Sequence, residues 1–175
     1  AVALGLLERP EEFPGVDVTT RPVRSHPSGV NAAHLLGYLG RPTGEEVAAG
    51  TVTPGELLGR AGLELAYDDH LRGTPGRRTV TVDPRGVVTG EVESTEPVPG
   101  HDVVTHVDPA VQGRVEQVLA DTVRASRAGG WPADSAAAVV LDVRTGGVVA
   151  SASWPSYDPG VWTGGISAAH YEALT

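Results

Sequence analysis

Apolar positions recur at helical spacing in two stretches of the chain and alternate with polar ones in others. Leu63, Tyr67 and Leu71 fall four apart, which places them on one helix face, and Gly73 stands where a C-terminal cap is expected. Further on, Asp108 can cap a helix with Pro109 at its first position. Val111, Val115, Val118, Leu119 and Thr122 mark one face of it, and Gly129-Gly130 ends it. Alternation over residues 77–82, turn residues at Asp83-Pro84-Arg85-Gly86 and a return over 87–93 predict a β-hairpin. A second hairpin is predicted from the apolar run at 136–143, read as a buried strand, a turn at Arg144-Thr145-Gly146-Gly147, and a return over 148–154.

The remaining stretches are heavily punctuated. Prolines at 10, 14, 22 and 27 block helix continuation and leave extended segments around 16–20 and 22–24. Residues 31–39 are apolar and suit a turn or two of helix ended by Gly40. Thr43-Gly44-Glu45-Glu46 and Thr53-Pro54-Gly55-Glu56 both fit the capping box, predicting two short helices stopped by Gly50 and Gly59. The polar, proline-rich stretch 93–100 reads as a boundary, followed by a strand at 101–107; a short helix is expected near 167–174. The fold class is therefore α+β: a strand-rich first part with short helices, then a strand–helix–hairpin lobe.

Composition removes whole classes of chemistry. The chain has 175 residues and a net charge of −9, so a general nucleic-acid or anionic-membrane binder is disfavoured. All 13 of its basic residues are arginines; lysine, cysteine and methionine are absent. Without lysine there is no Schiff base, P-loop lysine or serine–lysine pair, and without cysteine no thiol nucleophile or zinc finger. The missing methionine suggests a processed chain or an excised piece. No run approaches the ~18 apolar residues of a membrane span.

Candidate chemistry is sparse. Three residues beyond Ser135, Ser151 and Ser167 stand Ala138, Trp154 and His170, so S-x-x-K does not occur, and neither does G-x-S-x-G. The histidines at 26, 34, 70, 101, 106 and 170 form no H-E-x-x-H or i,i+4 ligand pair. Asp68-Asp69-His70 reads as a solvated helix face. No catalytic, metal or cofactor site is assigned, and no cofactor is expected.

Several segments, in order, resemble a class B penicillin-binding protein. Residues 13–29, ending Arg24-Ser25-His26-Pro27-Ser28-Gly29, are similar to that family's R-x-Y-P-x-G segment, with His26 in the tyrosine place, and Gly37 continues it. Gly59, Gly62, Leu63, Glu64, Tyr67, Asp68, Leu71, Gly73 and Gly76 meet the motif G-x-x-G-L-E-x-x-Y-D-x-x-L-x-G-x-x-G. Residues 99–108, 139–146 and 152–159 resemble the opening strand, early hairpin and following loop of the transpeptidase domain. The segment of about twenty residues between Gly40 and Gly62 leans towards the elongation-type branch, with a low-affinity branch as the alternative.

The resemblance implies a pedestal (dimerisation) domain over 1–98 and the start of a transpeptidase domain over 99–175. The family's S-x-x-K, S-x-N and K-T-G motifs do not occur, so no catalytic residue is carried over and this chain is expected to be inactive by itself. The implied parent cross-links peptidoglycan stem peptides by serine acyl transfer. It would be held on the extracytoplasmic face of a bacterial membrane by a single-span anchor outside this chain. Its implied partners are a membrane glycan polymerase or a cell-wall scaffold protein, with a homodimer possible and no nucleic acid. Leu63, Tyr67 and Leu71 would form a buried stripe, and Glu64 would pair with Arg24 or Arg60. The alternatives are a stand-alone serine hydrolase and a free cell-wall-binding module.

Overall fold

The computed structural model describes residues 23–26, 31–84, 86 and 88–162, together with the single positions 5, 9, 12, 13, 16, 166 and 172. Pro27, Gly29, most of 16–20 and the expected helix at 167–174 lie outside the described residues. The helices that fall wholly within the described residues are α1 (Ala33–Leu36), α2 (Gly44–Ala48), α3 (Gly62–Ala66), α4 (Asp68–Leu71) and α5 (Pro109–Ala128). The strands are β1 (Leu39–Gly40), β2 (Leu58–Gly59), β3 (Arg77–Val82), β4 (Val88–Thr95), β5 (Ala136–Leu141) and β6 (Val148–Trp154), and a 3₁₀ turn covers Pro159–Trp162. Among the described residues the strands form three antiparallel pairs: β1–β2, β3–β4 and β5–β6. Among the described residues no helix is long and apolar enough to cross a membrane.

The chain packs as two compact units. One joins 1–23 with 73–100, and the other joins 24–72 with 101–175. In the first unit, β3 and β4 form the predicted hairpin with Arg77 opposite Thr95 and Val82 opposite Val88. Gly86 N–H donates to Asp83 at 2.9 Å across its turn, and Thr74 and Val98 exchange backbone bonds of 2.8 and 2.9 Å at its base. β4 runs to Thr95, two residues further than the alternation suggested.

In the second unit α5 lies on the β5–β6 hairpin. Asp108 Oδ1 accepts Ala110 and Val111 N–H at 2.8 and 3.1 Å, and Pro109 opens the helix, as its sequence predicts. Ala120 and Val123 of α5 are buried with Ala150 and Ala152 of β6. Small side chains on both faces let helix and sheet approach closely, and burying Val123 contributes about 1.5–3 kcal/mol. The buried face of α5 is centred on Gln112, Ala120 and Val123, whereas Val118, expected to face inward, is 46% exposed.

Four other expectations are corrected. Residues 101–107 form no strand. The β6 edge away from β5 is occupied at Ser151, whose N–H and C=O both bond the Gln112 side chain, so no neighbouring strand can take them. The run at 136–143 is not a buried strand: α5 covers one face only, and Val139, Leu141 and Val143 on the other side are exposed. The helix after Asn31 stops at Gly37 rather than Gly40, because Gly37 turns at φ +80° and β1 starts two residues later. Thr53 N–H and Oγ1 both donate to Glu56 Oε1 at 2.8 Å, but Glu56 N–H goes to the Thr53 carbonyl at 3.1 Å rather than to the hydroxyl, so the expected capping box is not completed and the contacts close an isolated turn. Leu58 and Gly59 are drawn into the β1–β2 pair directly afterwards, which leaves no room for a helix.

Candidate functional site

The motif residues of 24–72 build a crossing of two backbones. Gly37 follows α1 at φ +80°, and Gly62 opens α3 at φ +56°. A Cβ on Gly37 would overlap the Ala61 carbonyl, and one on Gly62 would lie 2.5 Å from the Leu35 carbonyl oxygen and 2.7 Å from Gly37 N. Each glycine thus makes room for the other's chain, and each has a backbone angle that L side chains rarely adopt. β1 and β2 pair beside this crossing, with Leu39 opposite Gly59.

Charged groups tie the crossing down. Arg24 meets Glu64 through two bonds, Nε to Oε1 at 2.7 Å and Nη2 to Oε2 at 2.9 Å, so the Arg24–Glu64 pairing expected from the sequence is present. Arg60, the other arginine considered for Glu64, grips Glu46 at 2.8 and 2.7 Å and also donates to the Arg41 carbonyl at 2.7 Å. Asp68 Oδ1 accepts Gly59 N–H at 2.8 Å, joining the first glycine of the motif to its aspartate, and Arg72 Nε stands 3.5 Å from Asp68 Oδ2. Such two-pronged arginine contacts fix orientation more than they add stability.

Glu46 also completes the capping box of α2: its carboxylate accepts Thr43 N–H at 2.6 Å while Thr43 Oγ1 accepts Glu46 N–H. The Arg60 guanidinium, followed by the Thr43 amide, lowers the Glu46 carboxyl from 4.5 to about 2. A carboxylate depressed on folding contributes stability above its unfolded value and loses it on the way to its folded one. The chain is therefore expected to lose stability as pH falls from about 4.5 towards 2, and Glu46→Gln to flatten that slope. Urea midpoints of both proteins across the window check this; identical slopes would contradict it.

The predicted single helix through Leu63, Tyr67 and Leu71 is two helices. Tyr67, at φ −119° and ψ 22°, ends α3 and starts α4, and it is 46% exposed rather than buried. The break lets Asp68 turn back to the Gly59 amide, a bond that continuous helix geometry does not supply. Leu63 and Leu71 are half-buried. Gly73 and Gly76 belong to the other unit, where a Cβ on either would meet the 95–100 backbone.

Sequence reasoning missed a second polar cluster. Gln112 and Glu116 of α5 reach Ser151 and the residues before α1, and nothing in a single sequence marks a Gln or Glu on an amphipathic helix as inward-facing. An aromatic group lies at the other end of α1: Tyr38 stacks on Trp162 with ring centroids 3.7 Å apart, and His34 tilts against Tyr157 at 5.2 Å. Burial pushes the Tyr157 hydroxyl's ionisation up. Ser156 Oγ is engaged with Asn31 Oδ1 at 3.2 Å. Among the described residues no group of three His, Cys, Asp or Glu side chains could hold a metal ion.

Two backbones crossed at glycines and tied by arginine–carboxylate pairs define the class of domain, and comparison with known proteins gives it a family. The sequence matches the Penicillin-binding Protein dimerisation domain over residues 4–105, and the chain belongs to that family. It is 35% identical over 170 residues to peptidoglycan D,D-transpeptidase MrdA of Escherichia coli K12, covering 93% of this chain and 25% of that protein. The chain thus spans about a quarter of the length of the curated relatives it matches. Among solved structures, one describing the coordination of polymerization and crosslinking by a peptidoglycan synthase complex aligns with TM-score 0.71 and 33% identity, over 99% of this chain and 31% of that one. Another, penicillin-binding protein PBP2 of Helicobacter pylori in complex with MreC, shares the fold with TM-score 0.67 and 21% identity, over 98% of this chain and 30% of that one.

Proposed function

We propose that the chain is the supporting, non-catalytic part of an elongation-type peptidoglycan D,D-transpeptidase. Residues 1–98 supply its pedestal and residues 99–175 open its transpeptidase domain. The observation that carries this reading is the family match over 4–105 together with the glycine crossing and the Arg24–Glu64 tie, which give the motif residues a mechanical rather than chemical use. The parent would cross-link stem peptides by serine acyl transfer at the extracytoplasmic face of a bacterial membrane. Its partner would be a glycan polymerase or a wall scaffold protein, and a homodimer is the further assembly to test. The 33%-identical structural neighbour, from a complex coupling polymerization to crosslinking, supports the polymerase partner. The serine-hydrolase and wall-binding readings gain no support from these relatives.

Fluorescent penicillin tests the proposal. It is expected to leave this 175-residue chain unlabelled while labelling a full-length D,D-transpeptidase in the same tube. A covalent band on the chain would refute the non-catalytic reading.

A further inference from the structure

Two residues one turn apart on α5 make contacts that the family motif does not include. Gln112 is fully buried. Its Oε1 accepts Ser151 N–H at 2.8 Å and its Nε2 donates to the Ser151 carbonyl at 3.0 Å, so the side-chain amide binds β6 as a neighbouring strand would. The same Nε2 donates to Glu116 Oε1 at 2.8 Å. That carboxylate in turn accepts Ala32 N–H at 2.6 Å on Oε1 and Asn31 N–H at 3.1 Å on Oε2. These are amides at the start of α1, where a helix has no internal acceptor to offer.

What the carboxylate holds is unusual backbone. Ala32 sits at φ +43° and ψ 24°, left-handed for a residue with a Cβ, and it is buried. An L-residue stays there only where its surroundings over-determine it. Asn31 Oδ1 accepts Ala33 N–H at 3.0 Å, and Tyr157 Oη donates to the Ala33 carbonyl at 3.4 Å. Glu116 grips the two amides at and before the strained residue.

We propose that Gln112 and Glu116 form a two-way latch through which the backbone state of residues 31–33 and that of Ser151 on β6 change together. Glu116 Oε1 is shared between Ala32 N–H and Gln112 Nε2. If 31–33 relaxes out of its left-handed state, the carboxylate loses its backbone donors and is free to turn away. Gln112 then loses a charged acceptor and holds Ser151 less firmly. Bonds in a chain of this kind polarise one another, and linkage makes the effect reciprocal. The inference goes beyond the supporting role, since it stands whether or not the parent is a transpeptidase. It says how a displacement near α1 is passed to β6.

Amide hydrogen exchange on the intact chain tests it. Glu116→Gln keeps the size but replaces one acceptor oxygen with an NH2 group, so it cannot serve all three donors. Exchange at Asn31, Ala32 and Ser151 is expected to rise together, on the order of tenfold, while amides of the β3–β4 hairpin stay unchanged. Ala32→Gly relieves the left-handed strain while leaving Gln112, Glu116 and Ser151 themselves unaltered, and it is expected to slow exchange at Ser151. Faster exchange at 31 and 32 with Ser151 unmoved would reduce Glu116 to a local cap and overturn the latch. So would a parallel rise across the hairpin, or no change at Ser151 in Ala32→Gly.

Discussion

Gly37→Ala is expected to unfold the body that contains residues 24–72, costing about 3–5 kcal/mol, a large share of the ~5–15 kcal/mol that holds a typical domain together. Two terms add. An alanine at φ +80° pays roughly 1–2 kcal/mol for the left-handed backbone alone. Its Cβ would also overlap the Ala61 carbonyl, and backbone cannot swing aside as a flexible side chain would, so α3 must back away from α1. Gly50→Ala carries the first term alone: Gly50 lies at φ +75° with nothing within 4 Å of the place its methyl would take, so it should cost only about 1 kcal/mol, and the difference between the two variants is the second term. All three tryptophans, at 131, 154 and 162, lie in the same unit, so their fluorescence in urea reports on it and not on the hairpin unit. Equal midpoints for the two variants would show that the close approach has no energetic weight.

The glycine crossing is also where the sequence speaks most clearly. Gly59, Gly62, Glu64 and Asp68 were picked out by their resemblance to a family motif, and the structure gives each a use: no Cβ at close backbone approaches, a carboxylate for Arg24, an acceptor for the Gly59 amide. The Thr43 box, the Asp108–Pro109 start of α5 and both hairpins were equally legible, since capping and turn chemistry act over three or four residues. Longer-range outcomes were not. Spacing put Tyr67 inside, yet the helix breaks at Tyr67, where Asp68 bonds the Gly59 amide nine residues away in sequence. Residues 101–107 had strand composition but form no strand; Asp108, just past them, bonds the β6 edge through its N–H to the Val149 carbonyl at 2.9 Å. Segments 24–72 and 101–175 form one unit although the polar stretch at 93–100 separates them in sequence, because Glu116 and Tyr157 hold the start of α1 in addition to its crossing with Gly62.

Gln112 should therefore be among the most sensitive side chains of the second unit, and only one of its two substitutions should gain stability as pH is lowered from 7. Gln112→Ala leaves the Ser151 N–H and C=O without partners in a buried place and opens a cavity beside Ala152; about 3–4 kcal/mol is expected. Gln112→Glu keeps the shape and still accepts Ser151 N–H. At neutral pH, however, it sets a buried carboxylate against the Ser151 carbonyl and the Glu116 carboxylate. Burial and a like charge both raise such a group's pKa above its unfolded value, so the folded state binds the extra proton more readily. Stability of Gln112→Glu should then rise as pH is lowered from 7 towards the range where that proton binds, restoring an O–H donor. Wild type and Gln112→Ala should not gain over the same interval, and all should fall once Glu46 begins to lose its contribution below about 4.5. Urea midpoints by tryptophan fluorescence at several pH values separate these cases. A Gln112→Glu curve parallel to that of Gln112→Ala would mean the side chain does not face Glu116 and Ser151 in solution.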